Sequence, residues 1–174
     1  MIEIRIAGTA PHIEDLTVKA CASTAILIGE EVILFDCGRY ATNQLFRTGI
    51  PPFKITHLFF THNFHFDHTS DYPNLIYSRF HNDKTPLTVH GPPDTKKMTE
   101  NVFNAFVCAK GPLLLEKIPV KDLEEGQTVS SKHWELSCVW TNHGPFYGHK
   151  SLGYKLVSGD KSIVVSGDVG CGRS

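Results

Sequence analysis

Histidine and aspartate side chains are concentrated in the segment THNFHFDHTSDYP, which follows the apolar stretch HLFF. The segment contains three histidines and two aspartates: His62, His65, Asp67, His68 and Asp71. Imidazole nitrogens and carboxylate oxygens are the usual ligands of a catalytic zinc-type ion. A loop that leaves a buried strand can direct such side chains toward one point. The spacing therefore predicts a metal site in which His65, Asp67 and His68 serve two adjacent ions about 3.5–4 Å apart.

Two residues elsewhere repeat this pattern of an apolar strand followed by a ligand-type side chain. His143 follows the strand in CVWTNHGPF, and Asp168 follows the strand in SIVVSGDVG. An aspartate at the end of a strand can bridge two ions, because one carboxylate has two oxygens. The glycines on either side of Asp168 allow the chain to turn sharply there. We expect both side chains to complete the metal site.

The composition is that of one ordinary folded domain spanning residues 1–174. The net charge of −1 gives no basic surface for tight duplex binding. The sequence shows no apolar run of membrane-spanning length and no signal peptide. Its five cysteines are scattered, as is typical of reduced thiols. These features predict a cytoplasmic protein with no membrane contact.

Apolar runs and turn residues predict strands alternating with three helices. The strands are predicted at residues 2–7, 24–29, 31–36, 57–61, 86–91, 116–120, 128–129, 134–141, 152–157 and 162–166. The helices are predicted at residues 39–50, 70–80 and 95–110, with Ser70 or Asp71 capping the second and Asp94 the third. Hairpins at both ends of the chain favour a mixed-sheet α/β or α+β layer fold.

The ordered motifs resemble those of the metallo-β-lactamase superfamily, closest to the branch that contains ribonuclease Z and related phosphodiesterases. The superfamily signature is a strand, then Thr-His-x-His-x-Asp-His, later a lone histidine and later an aspartate. The corresponding stretches here are THNFHFDH, HG and SGD, and AILIGEEVILFDCG resembles the hairpin and Asp-x-Gly turn upstream of the metal motif. The resemblance implies an αββα sandwich built from two similar halves.

The resemblance also implies a role for each candidate residue. His62, His65 and His143 resemble the ligands of the first ion, and Asp67 and His68 resemble ligands of the second. Asp168 resembles the bridging ligand, and Asp67 also resembles the residue that takes a proton from the attacking water. Asp36 resembles a carboxylate that orients a metal ligand. One or two zinc ions are implied, with manganese or iron as alternatives.

The first departure from the family pattern is the spacing of the first two histidines. The family has His-x-His, whereas His62 and His65 are separated by two residues. Aligned from the Asp-His end, Asn63 occupies the place of the first histidine. We expect a bulge to turn His62 inward and Asn63 outward; otherwise the first ion loses a ligand.

The second departure is that the sequence stops at Ser174, shortly after Asp168. In the family, a further helix and strand supply the last histidine of the second site. The chain is therefore expected to be a fragment, a natural short version, or a chain completed by a partner. His149 is an alternative ligand to His143.

The sequence thus predicts a metal-dependent hydrolase that uses a metal-bound hydroxide on a phosphodiester, from a small molecule or a nucleic acid. Two alternatives stay open: a non-catalytic or partner-completed protein of this fold with one metal or none, and a thioester or lactone hydrolase. A homo-oligomer is expected. Phe59 and Phe60 are expected in the core, and Phe64 and Phe66 as walls that keep the pocket dry.

Overall fold

The computed structural model describes residues 1–10, 19–79, 86–106, 117–143 and 151–170. Its strands are β1 Ile2–Gly8, β2 Ser23–Ile28, β3 Glu31–Phe35, β4 His57–Phe59, β5 Thr88–Gly91, β6 Val120–Asp122, β7 Thr128–Ser130, β8 Glu135–Thr141, β9 Ser151–Ser158 and β10 Lys161–Val165. Its helices are α1 Ala41–Arg47, α2 Phe66–Thr69, α3 Tyr72–Ser78 and α4 Thr95–Phe106, with a 3₁₀ turn at Pro52–Lys54.

The strands form two sheets of different character. The first has six strands in the order β1-β2-β3-β4-β5-β6. Its first three strands pair antiparallel, and β3 to β6 pair in parallel because helices connect each of these strands to the next. The second sheet has four antiparallel strands in the order β10-β9-β8-β7. The mixed α/β architecture predicted from the sequence is confirmed.

Two apolar layers lie on opposite faces of the first sheet. One layer packs α1, α3 and α4 against the sheet through residues such as Leu45, Leu75 and Phe103. The other fills the space between the two sheets, where Phe35 and Phe59 meet Tyr154. Phe59 and Phe60 are fully buried, as the sequence predicts. The described residues therefore form helix, sheet and sheet layers, and the second helical layer implied by the resemblance is not among them.

The local differences from the sequence prediction have simple causes. Helix α2 is a single turn within the histidine cluster, too short to show a helical repeat in the sequence. Strand β6 begins at Val120 rather than at residue 116, because Pro119 has no N–H to donate to a ladder. On α4, Met98 is buried and Val102 half-buried, whereas the Phe106 side chain lies outside the described residues. Within the described part of the chain, no helix is long and apolar enough to cross a membrane.

Candidate metal centre

The predicted ligands meet where the strand ends of the two sheets come together. Hydrogen bonds join the second sheet to the loop after β4. The shortest run from Leu152 N to the Thr61 carbonyl at 2.7 Å and from the Tyr154 hydroxyl to the Phe60 carbonyl at 2.6 Å. Another hydrogen bond, from Gly170 N to the Asn142 carbonyl at 2.6 Å, joins the loops that follow β8 and β10. These contacts bring ligand-type side chains from the ends of three strands, β4, β8 and β10, to one place.

Three imidazoles form the first group of ligand-type atoms. One ring nitrogen from each of His62, His65 and His143 lies within 4.8 Å of the others. His62 Nε2 and His65 Nδ1 are 2.9 Å apart, and the His143 ring centroid is 4.7 Å from that of His62. This is the set that the sequence analysis assigns to the first ion.

The second group shares His62 with the first. It consists of His62, His68 and Asp168, whose ligand-type atoms also lie within 4.8 Å of one another. Asp168 Oδ1 is 3.4 Å from His68 Nε2, and Asp168 Oδ2 is 3.9 Å from His143 Nε2, so this carboxylate lies between both groups. Asp67 Oδ2 lies on the other side, 3.6 Å from His68 Nε2. His149 lies outside the described residues.

Asp36 is buried beneath the cluster and accepts three hydrogen bonds. Its donors are Thr61 N, Thr61 Oγ1 and His68 Nδ1, each at 2.8 Å. The bond to Asp36 fixes the tautomer of His68, because Nδ1 donates and Nε2 is left to face Asp67 and Asp168. Asp36 therefore has the position that the sequence analysis expects for a carboxylate orienting a ligand.

Thr61 is a functional residue that the sequence analysis missed. Its hydroxyl donates to Asp36 and lies 3.0 Å from His62 Nδ1, from which it accepts. His62 is thereby held with Nε2 directed into the cluster. The only signal in the sequence was the position of Thr61 directly before His62.

The extra residue between the first two histidines is accommodated by a turn in the loop. His62 faces the cluster, whereas Asn63 donates to the carbonyls of Pro92 and Pro93 at 3.2 and 3.0 Å and accepts from Thr95 Oγ1 at 3.0 Å. The turn is made at Phe64, which has a φ of 62°. His62 thus turns inward through a bulge in the loop, as expected from the sequence, whereas Asn63 turns away from the cluster into a buried position rather than outward. The expectation that Phe64 and Phe66 keep the pocket dry is wrong, because both present about half of their surface to solvent.

Asp71, the last acidic residue of the motif, is used structurally. Its carboxylate accepts from Thr42 N at 2.7 Å, Thr42 Oγ1 at 2.6 Å and Asn74 Nδ2 at 2.5 Å. It occupies the residue before α3, as predicted, but it makes no capping bond to the backbone of that helix. Asp71 therefore fixes the start of α1 against the loop of the cluster.

The charges of the cluster are unevenly distributed. Burial, together with three neighbouring imidazoles, lowers the pKa of His62 to about 3. Burial alone would lower the pKa of His68, but the carboxylates of Asp36 and Asp168 outweigh it and raise this pKa to about 10. A hydrogen bond from His68 lowers the pKa of Asp168 to about 2. His62 therefore offers a lone pair at neutral pH, and a cation that binds His68 Nε2 must displace its proton.

The donor set fits a zinc-type ion. Three imidazoles with convergent nitrogens leave a fourth position open in a tetrahedral shell, which is the usual composition of a catalytic zinc site. The Asp168 carboxylate next to them can reach a second ion. His62, His65 and His143 would hold the first ion, and His68 and Asp168 would hold the second, with Asp67 adjacent.

Replacing Gly167 tests how closely the loop that carries Asp168 packs against Thr61. A methyl group at this position would lie 2.6 Å from Thr61 Cβ, and the residue has a φ of +62°. Gly167→Ala is therefore expected to lower the free energy of unfolding by about 2–4 kcal/mol, from left-handed strain plus a steric clash. It should also weaken metal binding, because Thr61 or Asp168 must shift. Thermal unfolding and metal titration measure both effects.

Gly159→Ala is the matched control for this substitution. Gly159 has a φ of +61° and no heavy atom within 4 Å of the added methyl group. Its cost should be only the left-handed strain of about 1–2 kcal/mol, with metal binding unchanged. Equal costs at the two glycines would contradict the close contact between Gly167 and Thr61.

Comparison with solved structures identifies the fold. The human short-form tRNase Z (ELAC1) superposes with a TM-score of 0.76 at 18% identity, over 97% of this chain and 69% of that one. Yeast PDE1 gives 0.75 at 17% identity, over 99% and 66%. The metallo-β-lactamase fold protein YhfI from Bacillus subtilis gives 0.70 at 15% identity, over 95% and 61%. The fold is therefore that of the metallo-β-lactamase superfamily.

Comparison of sequences narrows the class of protein within this fold. Ribonuclease Z of Mycolicibacterium gilvum is 27% identical over 97% of this chain and 62% of its own length. Ribonuclease Z of Methanosarcina mazei is 31% identical over 90% of this chain and 48% of its own length. The chain therefore spans about half to two thirds of these relatives. Together with the fold, these matches define a member of the metallo-β-lactamase superfamily in its ribonuclease Z-like branch.

A family model described as "Anti-Pycsar protein Apyc1" matches residues 4–173. The chain belongs to this family.

Proposed function

We propose that this chain is a metal-dependent phosphodiesterase. The observation that carries the proposal is the convergence of two ligand groups that share His62, with Asp168 between them. Two such groups side by side suit a pair of ions that clamp the attacking and leaving oxygens of a phosphodiester. The relatives named ribonuclease Z and the structural neighbours tRNase Z and PDE1 support this substrate class.

The side chains have distinct roles in this proposal. A bound ion would lower the pKa of a water molecule and polarise a phosphoryl oxygen. Asp67 lies beside the cluster, 3.6 Å from His68, and accepts the proton of the attacking water. Asp36 and Thr61 hold the two ligands His68 and His62 in the tautomers that present Nε2.

The test is hydrolysis of bis(p-nitrophenyl) phosphate by the purified chain after addition of zinc or manganese. We expect turnover that chelator abolishes. Asp67→Asn should lower kcat by about 100- to 10,000-fold, the usual contribution of general acid–base catalysis. Asp160→Asn, in the turn between β9 and β10, should leave kcat unchanged. Metal-dependent turnover that is insensitive to Asp67→Asn would contradict the role of Asp67.

A non-catalytic binding protein of the same fold is the second candidate. One observation favours it. His62 belongs to both ligand groups, so the described residues offer two groups of three ligands only if both groups use the same histidine. Metal content and turnover together separate the two candidates, because only the phosphodiesterase requires both a metal-loaded centre and hydrolysis. Tight binding of one ion with no hydrolysis of a phosphodiester, thioester or lactone would favour the binding protein. The choice of metal, the homo-oligomer and the cytoplasmic location stay predictions.

A further inference from the structure

Three nearly parallel rings, two of them histidines, lie in the apolar layer between the two sheets. His90 on β5 stacks on Phe59 of β4, with ring centroids 4.6 Å apart and an interplanar angle of 10°. His57, also on β4, stacks on His90 at 6.3 Å and 15°. From the second sheet, Trp134 packs edge-to-face against His57, with ring centroids 5.0 Å apart. Neither histidine belongs to the metal centre, so both are titratable groups that the proposed reaction does not use.

His90 is buried with a ring nitrogen that lacks a hydrogen bond. Only 1% of its surface is exposed, and no described residue forms a hydrogen bond with its Nδ1. His57 differs, because it is half-buried and its Nδ1 lies 3.0 Å from the hydroxyl of Thr56. A charge placed in an apolar layer without a partner is far more costly than a neutral ring. The layer therefore accepts His90 in its neutral form and opposes its protonation.

The charges around the rings act in the same direction as burial. Burial lowers the pKa of His90 to about 3, with His57 on β4 and Lys121 on β6 as further causes. Burial also lowers the pKa of His57, and Glu31 on β3 opposes that shift only in part. The Glu31 carboxylate accepts a hydrogen bond from Trp134 Nε1 at 3.1 Å, and the Trp134 ring itself carries no charge. Both neighbours that act on His90 thus oppose a positive charge on its ring.

The strands that carry these rings also lead to the metal centre. The His90 carbonyl accepts a hydrogen bond from Phe60 N at 2.8 Å, and His62 follows two residues later. On the other side, the Tyr154 hydroxyl of the second sheet donates to the Phe60 carbonyl at 2.6 Å. A charge on His90 that separates these strands therefore disturbs the segment from which the metal ligands extend.

We propose that His90 is an acid-sensitive switch, which holds the two sheets and the metal centre together at neutral pH and releases them on acidification. A histidine in the unfolded chain has a pKa of about 6.5, so unfolding takes up a proton at His90 between that pH and about 3. The stability that neutral His90 contributes is therefore fully present above pH ~6.5 and is lost as the pH falls. Over this range, one proton taken up on unfolding favours the unfolded chain about 10-fold for each pH unit.

Chemical denaturation of the metal-free chain at several pH values tests the proposal. His90→Phe keeps an aromatic ring against Phe59 but cannot take up a proton. The ratio of the wild-type unfolding constant to that of His90→Phe should rise about 10-fold for each pH unit below ~6.5. His133→Phe, at an exposed histidine before β8, is the matched control and should follow the wild type. The histidines of the metal centre are present in all three proteins, so their protonation cancels in the comparison.

Zinc release measures the link between the rings and the metal centre. During acidification in the presence of a chromogenic chelator, the wild type should release zinc at a higher pH than His90→Phe. Release at the same pH from both proteins overturns this link, because ligand protonation is common to both.

Histidine NMR of the wild type gives a direct measurement that does not depend on a variant that folds. The His90 ring should stay neutral while the chain is folded, and its protonated form should appear only together with the signals of the unfolded chain. A His90 ring that takes up its proton near pH ~6.5 in a folded chain overturns the proposal. So does an equal pH dependence of unfolding in the wild type and His90→Phe.

Discussion

His62→Ala is expected to empty most of the metal centre and to lower kcat/KM for bis(p-nitrophenyl) phosphate on the order of 1,000-fold. His62 Nε2 can bind only one ion, so its loss removes one of the three imidazoles of the first group and takes from the second group the histidine that it shares with the first. A bound ion contributes several kcal/mol to stabilising the transition state, and each 1.36 kcal/mol corresponds to a factor of ten. Elemental analysis of the purified variant and steady-state kinetics measure the two effects.

Asn63→Ala is the control, because the family spacing would assign the ligand role to this position. Its side chain is buried and makes three hydrogen bonds, to Pro92, Pro93 and Thr95. Its replacement should lower the free energy of unfolding by about 1–3 kcal/mol through partners left unsatisfied, while metal content stays at the wild-type level. Loss of metal from Asn63→Ala together with retention in His62→Ala would contradict the orientation of this loop.

Asp36→Ala is expected to have the largest effect on stability. The substitution removes the acceptor of three buried hydrogen bonds, from Thr61 N, Thr61 Oγ1 and His68 Nδ1. Removing one partner of a buried charged pair typically costs about 3–5 kcal/mol. Metal affinity should also fall about 10- to 100-fold, since His68 loses the group that orients it. Chemical denaturation of the metal-free protein and a metal titration measure the two quantities separately.

Asp122→Ala is the matched control, because it removes a carboxylate that accepts hydrogen bonds from backbone N–H groups outside the metal centre. Asp122 is exposed and accepts from Asp94 N at 3.2 Å and Lys96 N at 2.9 Å, at the start of α4. Its loss should cost about 0.5–2 kcal/mol, as for other helix caps, and should leave metal affinity unchanged. A cost at Asp36 no larger than at Asp122 would show that the buried network does not stabilise the fold as its geometry implies.

The sequence alone determined the types of side chain at the centre and the elements that carry them. Apolar runs end just before His62, His143 and Asp168, which places each of these side chains at the end of a strand. His62 follows a strand of the first sheet, and the other two follow strands of the second, so their meeting depends on how the two sheets pack. Buried positions such as Phe59 and Leu45 were predictable for the same reason, since apolar periodicity reports directly on burial. The strand-end pattern predicts Asp168 as a member of the site, whereas the role of Asp36 is implied by the resemblance to the family.

Only the tertiary structure decided which way the loop side chains turn. Chain spacing fixes how far His62 and Asn63 are from His65, but not the direction of each side chain, which depends on the left-handed turn at Phe64. The anchoring of Asn63 by Pro92, Pro93 and Thr95 comes from residues about thirty positions away. The hydroxyl of Thr61 between Asp36 and His62, and the sharing of His62 by both ligand groups, likewise arise from contacts between distant strand ends, which a linear sequence does not specify.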